Sequence, residues 1–259
     1  MRVVFLCAQM LNEFQARVIG PFLGSREHEV AGCVIDRRKP KPLLTKLVAN
    51  LRRGRGGYVL VMAARRALGG SEAVEGTREF FARRGLSVVE VEDIDAEETV
   101  TRIRRLGPDI LILVGGFGIV RRPLLDAPSL GVLSYHHGDL RAYRGQPPAL
   151  WELYNGEKEM GITVQKLSAG LDRGAPVVEK RVPIAYGETL ASLERKIFAE
   201  SAGMMFEAAR ILSTPGFAAK PLERYGRLYT LPNLRQWVTL HLKVFWRRSR
   251  RLFGAGARA

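Results

Sequence analysis

One apolar run ends in side chains that can do chemistry. Val132 and Leu133 lead into Ser134, His136 and His137. Further along, Leu171-Asp172-Arg173-Gly174 places a carboxylate in a turn-forming sequence. Imidazole moves protons near neutral pH. A carboxylate beside it fixes its tautomer and steadies its protonated form. A hydroxyl can donate one hydrogen bond to a developing oxyanion. His136 is therefore the candidate acid/base, Asp172 its organiser and Ser134 the candidate donor. Each has a plainer use: a histidine at a strand end is often a satisfied structural residue, and an aspartate before Arg-Gly often only forms a turn. A metal site is not expected, because neighbouring His136 and His137 on a strand point to opposite faces and no cysteine pair accompanies them.

The elements between these residues must fold back for the pair to meet. The polar loop Arg141-Ala142-Tyr143-Arg144-Gly145 comes first, and Pro147-Pro148 then opens a helical pattern through Asn155. Two strand-like runs follow, Ile162 to Leu167 and Ala175 to Ile184, and they predict a hairpin with Asp172 in its connection. Upstream, Val3 to Ala8 predicts a buried strand. Asn12 can cap a helix from Glu13 to Leu23, and His28 to Asp36 predicts a second strand. Glu72 to Arg84 predicts a helix, Leu86 to Val91 a strand, Ala96 to Leu106 a helix and Ile110 to Val114 a strand. A last helix runs from Thr189 to Leu212.

This alternation predicts an α/β fold over 1–212: an open, mostly parallel, Rossmann-like sheet with helices on both faces. The loop after the first strand has no glycine, which disfavours a dinucleotide pyrophosphate site. The run Gly115-Gly116-Phe117-Gly118-Ile119 lies past a strand end, where open parallel sheets bind ligands, although glycine there is often only a tight turn.

The net charge of +15 is uneven. Residues 36–70 carry ten Lys/Arg against Asp36 alone, and 220–259 carry ten against Glu223 alone. The rest of the chain is slightly acidic. Two basic pieces thus stand out: an insertion at 37–70, with helical patterns at Leu43 to Leu51 and Tyr58 to Leu68, and an extension at 213–259. In the extension, Asn233 precedes an amphipathic pattern from Leu234 to Phe253. That pattern suits an anionic membrane surface, and equally a helix docked on the domain. Cys7 and Cys33 sit in apolar runs and read as buried free thiols of a reducing compartment. No run approaches the ~18 apolar residues of a membrane span.

The stretch from about Pro108 to Ile184 resembles the folate-dependent formyltransferases, which act on glycinamide ribonucleotide, methionyl-tRNA or sugar nucleotides. That family's pattern is Asn-x-His, a loop ending in Arg-Gly, then Leu-Asp-x-Gly. His136, Tyr143-Arg144-Gly145 and Asp172 fall on it, as do Trp151, Asn155-Gly156 and Gly161-Ile162-Thr163. Ser134 stands where the family has asparagine, and His137 where it has a small residue or proline. The resemblance implies 10-formyltetrahydrofolate as formyl donor. It implies a donor pocket of Gly115, Gly116, Phe117, Gly118, Ile119 and Leu171, with Tyr143, Arg144 and Gly145 at the acceptor. Methionyl-tRNA members carry a second C-terminal domain, and only about 47 residues follow Leu212 here. The expectation is therefore a small-molecule or glycan-type amine, sugar-linked or lipid-linked, and not tRNA. The protein is expected to be cytoplasmic, with peripheral contact to the inner membrane face through 37–70 and 233–253. A formyl-folate hydrolase on the same fold, or a silent relative that binds membrane or nucleic acid, are the alternatives.

Overall fold

Every position from Val3 to Cys7 is apolar and buried, as expected of a strand covered on both faces. In the computed structural model this is β1 (Arg2–Cys7) of a seven-stranded sheet. Residues 1–38, 42–55, 73–115 and 117–255 are described. A short β2 (Met10–Asn12) leads into α1 (Glu13–Leu23). Asn12 accepts from the Gln15 N–H while Gln15 accepts from the Asn12 N–H, both at 2.9 Å, a reciprocal cap that fixes where the helix starts. Then come β3 (Glu29–Asp36), α2 (Leu43–Arg52), β4 (Ala73–Gly76), α3 (Thr77–Ala82), β5 (Ser87–Val91), α4 (Glu97–Arg105) and β6 (Ile110–Leu113). The second half holds β7 (Val132–His136), β8 (Tyr143–Gly145), α5 (Leu150–Asn155), β9 (Glu159–Lys166) and β10 (Ala175–Pro183). It closes with α6 (Leu190–Ser201), α7 (Met204–Leu212), β11 (Arg227–Tyr229) and α8 (Leu234–Ala255).

The sheet order is β10-β9-β7-β6-β1-β3-β5. The five strands from β7 to β5 are parallel, and β9 and β10 run antiparallel at the other edge. The expected hairpin is thus β9–β10, and it pairs directly on the histidine strand. Alternate residues of β1 face two separate cores. Val3, Phe5 and Cys7 pack with α1, α6 and α7, whereas Val4 and Leu6 pack with Val100 and Ile103 of α4. Helices therefore cover both faces. Both cysteines are buried and free.

Several elements differ from the sequence reading. The helix expected over Glu72 to Arg84 is a strand followed by a helix: β4 pairs antiparallel with β2, and α3 starts only at Thr77. Local propensity was overruled by a partner strand far off in sequence. The single helix expected over Thr189 to Leu212 is two. The Tyr135 hydroxyl enters the break, donating to the Ser201 carbonyl at 2.6 Å and accepting from the Met205 N–H at 3.0 Å. In an unbroken helix those two groups would bond each other. Short strands β2, β8 and β11 had no apolar alternation to announce them. Of the insertion's two expected helices, α2 is present, and Tyr58 to Leu68 lies outside the described residues.

The extension is built into the same molecule. β11 pairs in parallel with β8. α8 buries Trp237, Leu240 and Val244 in the larger core. Lys243 Nζ donates to the Tyr154 carbonyl at 2.8 Å and lies over the Tyr154 ring.

Candidate active site

His136 ends β7, where the strand meets the loop that carries β8. It is buried, and each ring nitrogen faces an acceptor. Nε2 lies 2.7 Å from the Tyr143 carbonyl, and Nδ1 lies 3.5 Å from Asp172 Oδ1. A carbonyl can only accept, so Nε2 carries a hydrogen in the neutral ring and Nδ1 has the open lone pair. A proton arriving at Nδ1 is received beside a carboxylate. The 3.5 Å gap is looser than a formed hydrogen bond and has room to tighten once that nitrogen becomes a donor.

Asp172 reaches this place through a left-handed backbone, with φ of 48°. Aspartate tolerates that region better than most residues, at some cost. Three neighbours hold it. The Gly145 N–H donates to Oδ2 at 2.8 Å, Gln165 Nε2 approaches Oδ1 at 3.4 Å, and Arg144 Nη1 donates to the preceding Leu171 carbonyl at 3.3 Å. Gln165 is itself held by the Gly174 N–H, which donates to Oε1 at 2.9 Å. A Cβ at Gly174 would lie 2.6 Å from that oxygen, so the turn needs glycine. Gln165 was not singled out from sequence, although a polar pair, Thr163 and Gln165, within a buried strand was a signal. Gly138 was also missed. A Cβ there would lie 2.6 Å from His136 Nε2 and 2.9 Å from the Tyr143 oxygen, so this glycine clears space for their bond.

The other predicted residues divide between two clefts. One, of about 450 Å³, is lined by His136, Asp172, Leu171, Gly145, Tyr229 and Arg55, among others. The second, of about 330 Å³, is lined by Ser134, Gly115, Gly118, Asn12 and Gln15, among others. Tyr135 and His137 border both. Ser134 therefore opens on a different cleft from His136 and Asp172, and its hydroxyl donates to the Tyr135 carbonyl at 3.3 Å. Phe117 is fully buried in the smaller core, and its carbonyl accepts from Arg38 at 2.8 Å. Ile119 and Leu171 are exposed, and Gly116 lies outside the described residues. Arg144 Nε donates to the Gly226 carbonyl at 2.7 Å, which ties β8 to the extension. The Tyr143 hydroxyl donates to Glu157 at 2.6 Å, and its ring stacks on Tyr229.

His137 is packed among Tyr135, Phe14 and Phe198, with Nε2 3.1 Å from Ser201 Oγ. Burial, helped by His136, pushes its imidazole down to about 3. At neutral pH it is an uncharged spacer between the clefts. The two basic additions also converge here: Arg55 of the insertion donates to Thr230 Oγ1 of the extension at 2.8 Å, at the rim of the larger cleft.

With this geometry in hand, comparison with known proteins is specific. The family model for formyl transferases matches residues 43–209. A methionyl-tRNA formyltransferase from Geobacter metallireducens is 34% identical over 158 residues, covering 60% of this chain and 50% of that protein. One from Ruminiclostridium cellulolyticum is 37% identical over 116 residues, covering 45% of this chain and 37% of that protein. The chain thus spans about half or less of the length of these curated relatives. In fold, glycinamide ribonucleotide transformylase 1 from Symbiobacterium toebii superposes with a TM-score of 0.60 at 22% identity, covering 88% of this chain and 94% of that one. A sugar N-formyltransferase from Shewanella sp. FDAARGOS_354 also gives 0.60, at 13% identity, covering 94% and 87%. The expectation against tRNA as acceptor is corrected by these relatives, because the first of them are methionyl-tRNA formyltransferases. That expectation rested on the residues remaining after Leu212, and chain length does not decide an acceptor. A match over most of the chain, with a fold shared by solved formyltransferases, makes this protein a member of the formyl transferase family.

Proposed function

We propose that this protein moves a formyl group from 10-formyltetrahydrofolate to a primary amine. The observation that carries the reading is the His136–Asp172 pair, 3.5 Å apart at the wall of an open cleft, in a formyl transferase chain. As the amine attacks the formyl carbon, His136 takes its proton at Nδ1, and Asp172 holds the charged ring. The tetrahedral oxyanion collapses, the bond to the folate nitrogen breaks, and the proton passes to that leaving nitrogen. Ser134 or a backbone N–H in the neighbouring cleft is the oxyanion donor.

Two acceptors have specific support. The aminoacyl end of methionyl-tRNA is favoured by the curated relatives and by the net charge of +15. A sugar-linked or lipid-linked amine is favoured by the outer face of α8. There Leu234, Val238, Leu242, Phe245 and Trp246 are exposed beside Arg235, Lys243, Arg247 and Arg250, a composition that suits peripheral contact with an anionic leaflet. No helix among the described residues is long and apolar enough to cross a membrane. The test offers 10-formyltetrahydrofolate with methionyl-tRNA, with an amino-sugar nucleotide, and with neither. Formyl transfer to one acceptor assigns it, whereas amine-independent release of formate points to a hydrolase. For the membrane contact, sedimentation with phosphatidylserine vesicles should fall in a Phe245→Ser, Trp246→Ser variant. Equal sedimentation would remove that contact.

A further inference from the structure

A groove of about 340 Å³ lies away from the two clefts, between α8 and the turn that joins β10 to α6. Its lining is Tyr186 from that turn and, from α8, Thr239, Leu242, Lys243, Trp246, Arg247 and Arg250. The α8 residues recur at intervals of three and four, so they share one face of the helix. Trp237, Leu240 and Val244, on another face, are buried in the core. The groove is built by a close approach of two backbones. Gly187 has φ of 77°, and a Cβ there would lie 3.0 Å from Arg248 Cγ and 3.2 Å from the Arg248 backbone. The turn therefore rests directly on α8, with little room for a side chain between them.

The charge in the groove is of one sign. Lys243 and Arg247 are steadied from behind by the last turn of α5, whose carbonyl end favours cations. Lys243 Nζ donates to the Tyr154 carbonyl at 2.8 Å, and Arg247 Nη1 approaches the Leu153 carbonyl at 3.5 Å. An ammonium has three donors and a guanidinium five, so each has more than these contacts use. Arg250 lines the groove one turn further on. No acid lines it among the described residues. Glu188 in the adjoining turn has a buried side chain, which accepts from Lys196 at 2.7 Å and from the Ala185 N–H at 2.8 Å. Beside the cations, Leu242, Phe245 and Trp246 are each more than half exposed. A free anion has no use for that apolar edge, whereas a lipid phosphate carries acyl chains that do.

We propose that this groove binds the phosphomonoester headgroup of an anionic phospholipid, with Leu242, Phe245 and Trp246 set against the acyl boundary, where an indole is suited to lie. A phosphomonoester carries a charge of about −1.5 to −2 and three acceptor oxygens. It matches three cations flanked by the Tyr186 and Thr239 hydroxyls better than a singly charged diester does. The inference rests on the peripheral membrane contact proposed above and names the lipid that this contact reads.

The intact protein is sedimented with phosphatidylcholine vesicles that carry either phosphatidic acid or phosphatidylserine, at matched surface potential. Wild type should bind the phosphatidic acid vesicles about tenfold more tightly, the scale of one hydrogen bond to a charged group. Arg250→Ala should remove that preference. Arg235 is on the same helix but outside the groove. Arg235→Ala should weaken both vesicle types alike, by about fivefold, the scale of one cation near an anionic surface. Both side chains are exposed, so thermal unfolding of the two variants should match wild type. Equal losses in the two variants on both vesicle types would mark diffuse charge and overturn the groove, with the membrane contact left standing. No sedimentation of wild type with either vesicle would overturn both. Calorimetric titration with inorganic phosphate alone should show far weaker binding; phosphate held as tightly as the vesicles would make this a free-anion site and overturn the lipid assignment.

Discussion

At the scale of single residues, the site depends on a chain of orienting contacts. Gln165 and Gly145 set Asp172, Asp172 faces Nδ1 of His136, and the Tyr143 carbonyl claims Nε2. Asp172→Asn should keep the fold and lower kcat by roughly 10²–10⁴, because an amide cannot stabilise the charged ring and can favour the wrong tautomer. Gln165→Ala should lower kcat by a smaller factor, about tenfold, with little change in KM, since it only lets Asp172 drift. Steady-state kinetics on both variants checks the order; a Gln165→Ala loss equal to that of Asp172→Asn would mean the glutamine touches substrate. The histidine and the aspartate were legible in the sequence because their neighbours, Arg144-Gly145 and Leu171-Asp172-Arg173-Gly174, form a recognisable spacing. Gln165 and Gly138 were not. What they do depends on approaches between strands that no local pattern encodes.

At the scale of elements, two joints carry the geometry. One is the break between α6 and α7, held by the Tyr135 hydroxyl. Tyr135→Phe removes both bonds and leaves buried backbone groups unpaired, so unfolding free energy should drop by about 1–3 kcal/mol; denaturant titration measures it. The other is the β8–β11 pairing. Gly145 has φ of 94°, and a Cβ there would lie 2.0 Å from the Tyr229 carbonyl. Gly145→Ala should therefore separate the extension from β8 and weaken the Asp172 contact as well, lowering stability by more than the ~1–3 kcal/mol of backbone strain alone. Long apolar strands and capped helices such as β1 and α1 were legible because burial and capping are local. Three-residue strands and the split of 189–212 were not, because a distant partner decides them.

At the scale of the whole molecule, two buried groups that line one small pocket with His136 pull stability in opposite directions with pH. The His137 imidazole is lowered from 6.5 to about 3 in the folded protein, so its contribution is present above 6.5 and is lost as pH falls toward 3. The Glu152 carboxyl is raised from 4.5 to about 7, so its contribution is present below 4.5 and is lost as pH rises toward 7. Glu152→Gln should flatten the loss between pH 4.5 and 7 in unfolding titrations, and His137→Phe should flatten the loss below 6.5; unchanged slopes would contradict the burial argument. The basic insertion and extension were visible in the sequence as charge. That Arg55 and Thr230 would join them at the mouth of the cleft was not, since composition says nothing of where two segments meet. The central claim is that His136 moves the proton that formyl transfer requires. Single-turnover release of tetrahydrofolate from 10-formyltetrahydrofolate, with a competent amine present, tests it in wild type and His136→Ala at matched folate occupancy. The account predicts amine-dependent release that falls by roughly 10²–10⁴ in the variant with folate affinity unchanged; equal rates in the two proteins would contradict it.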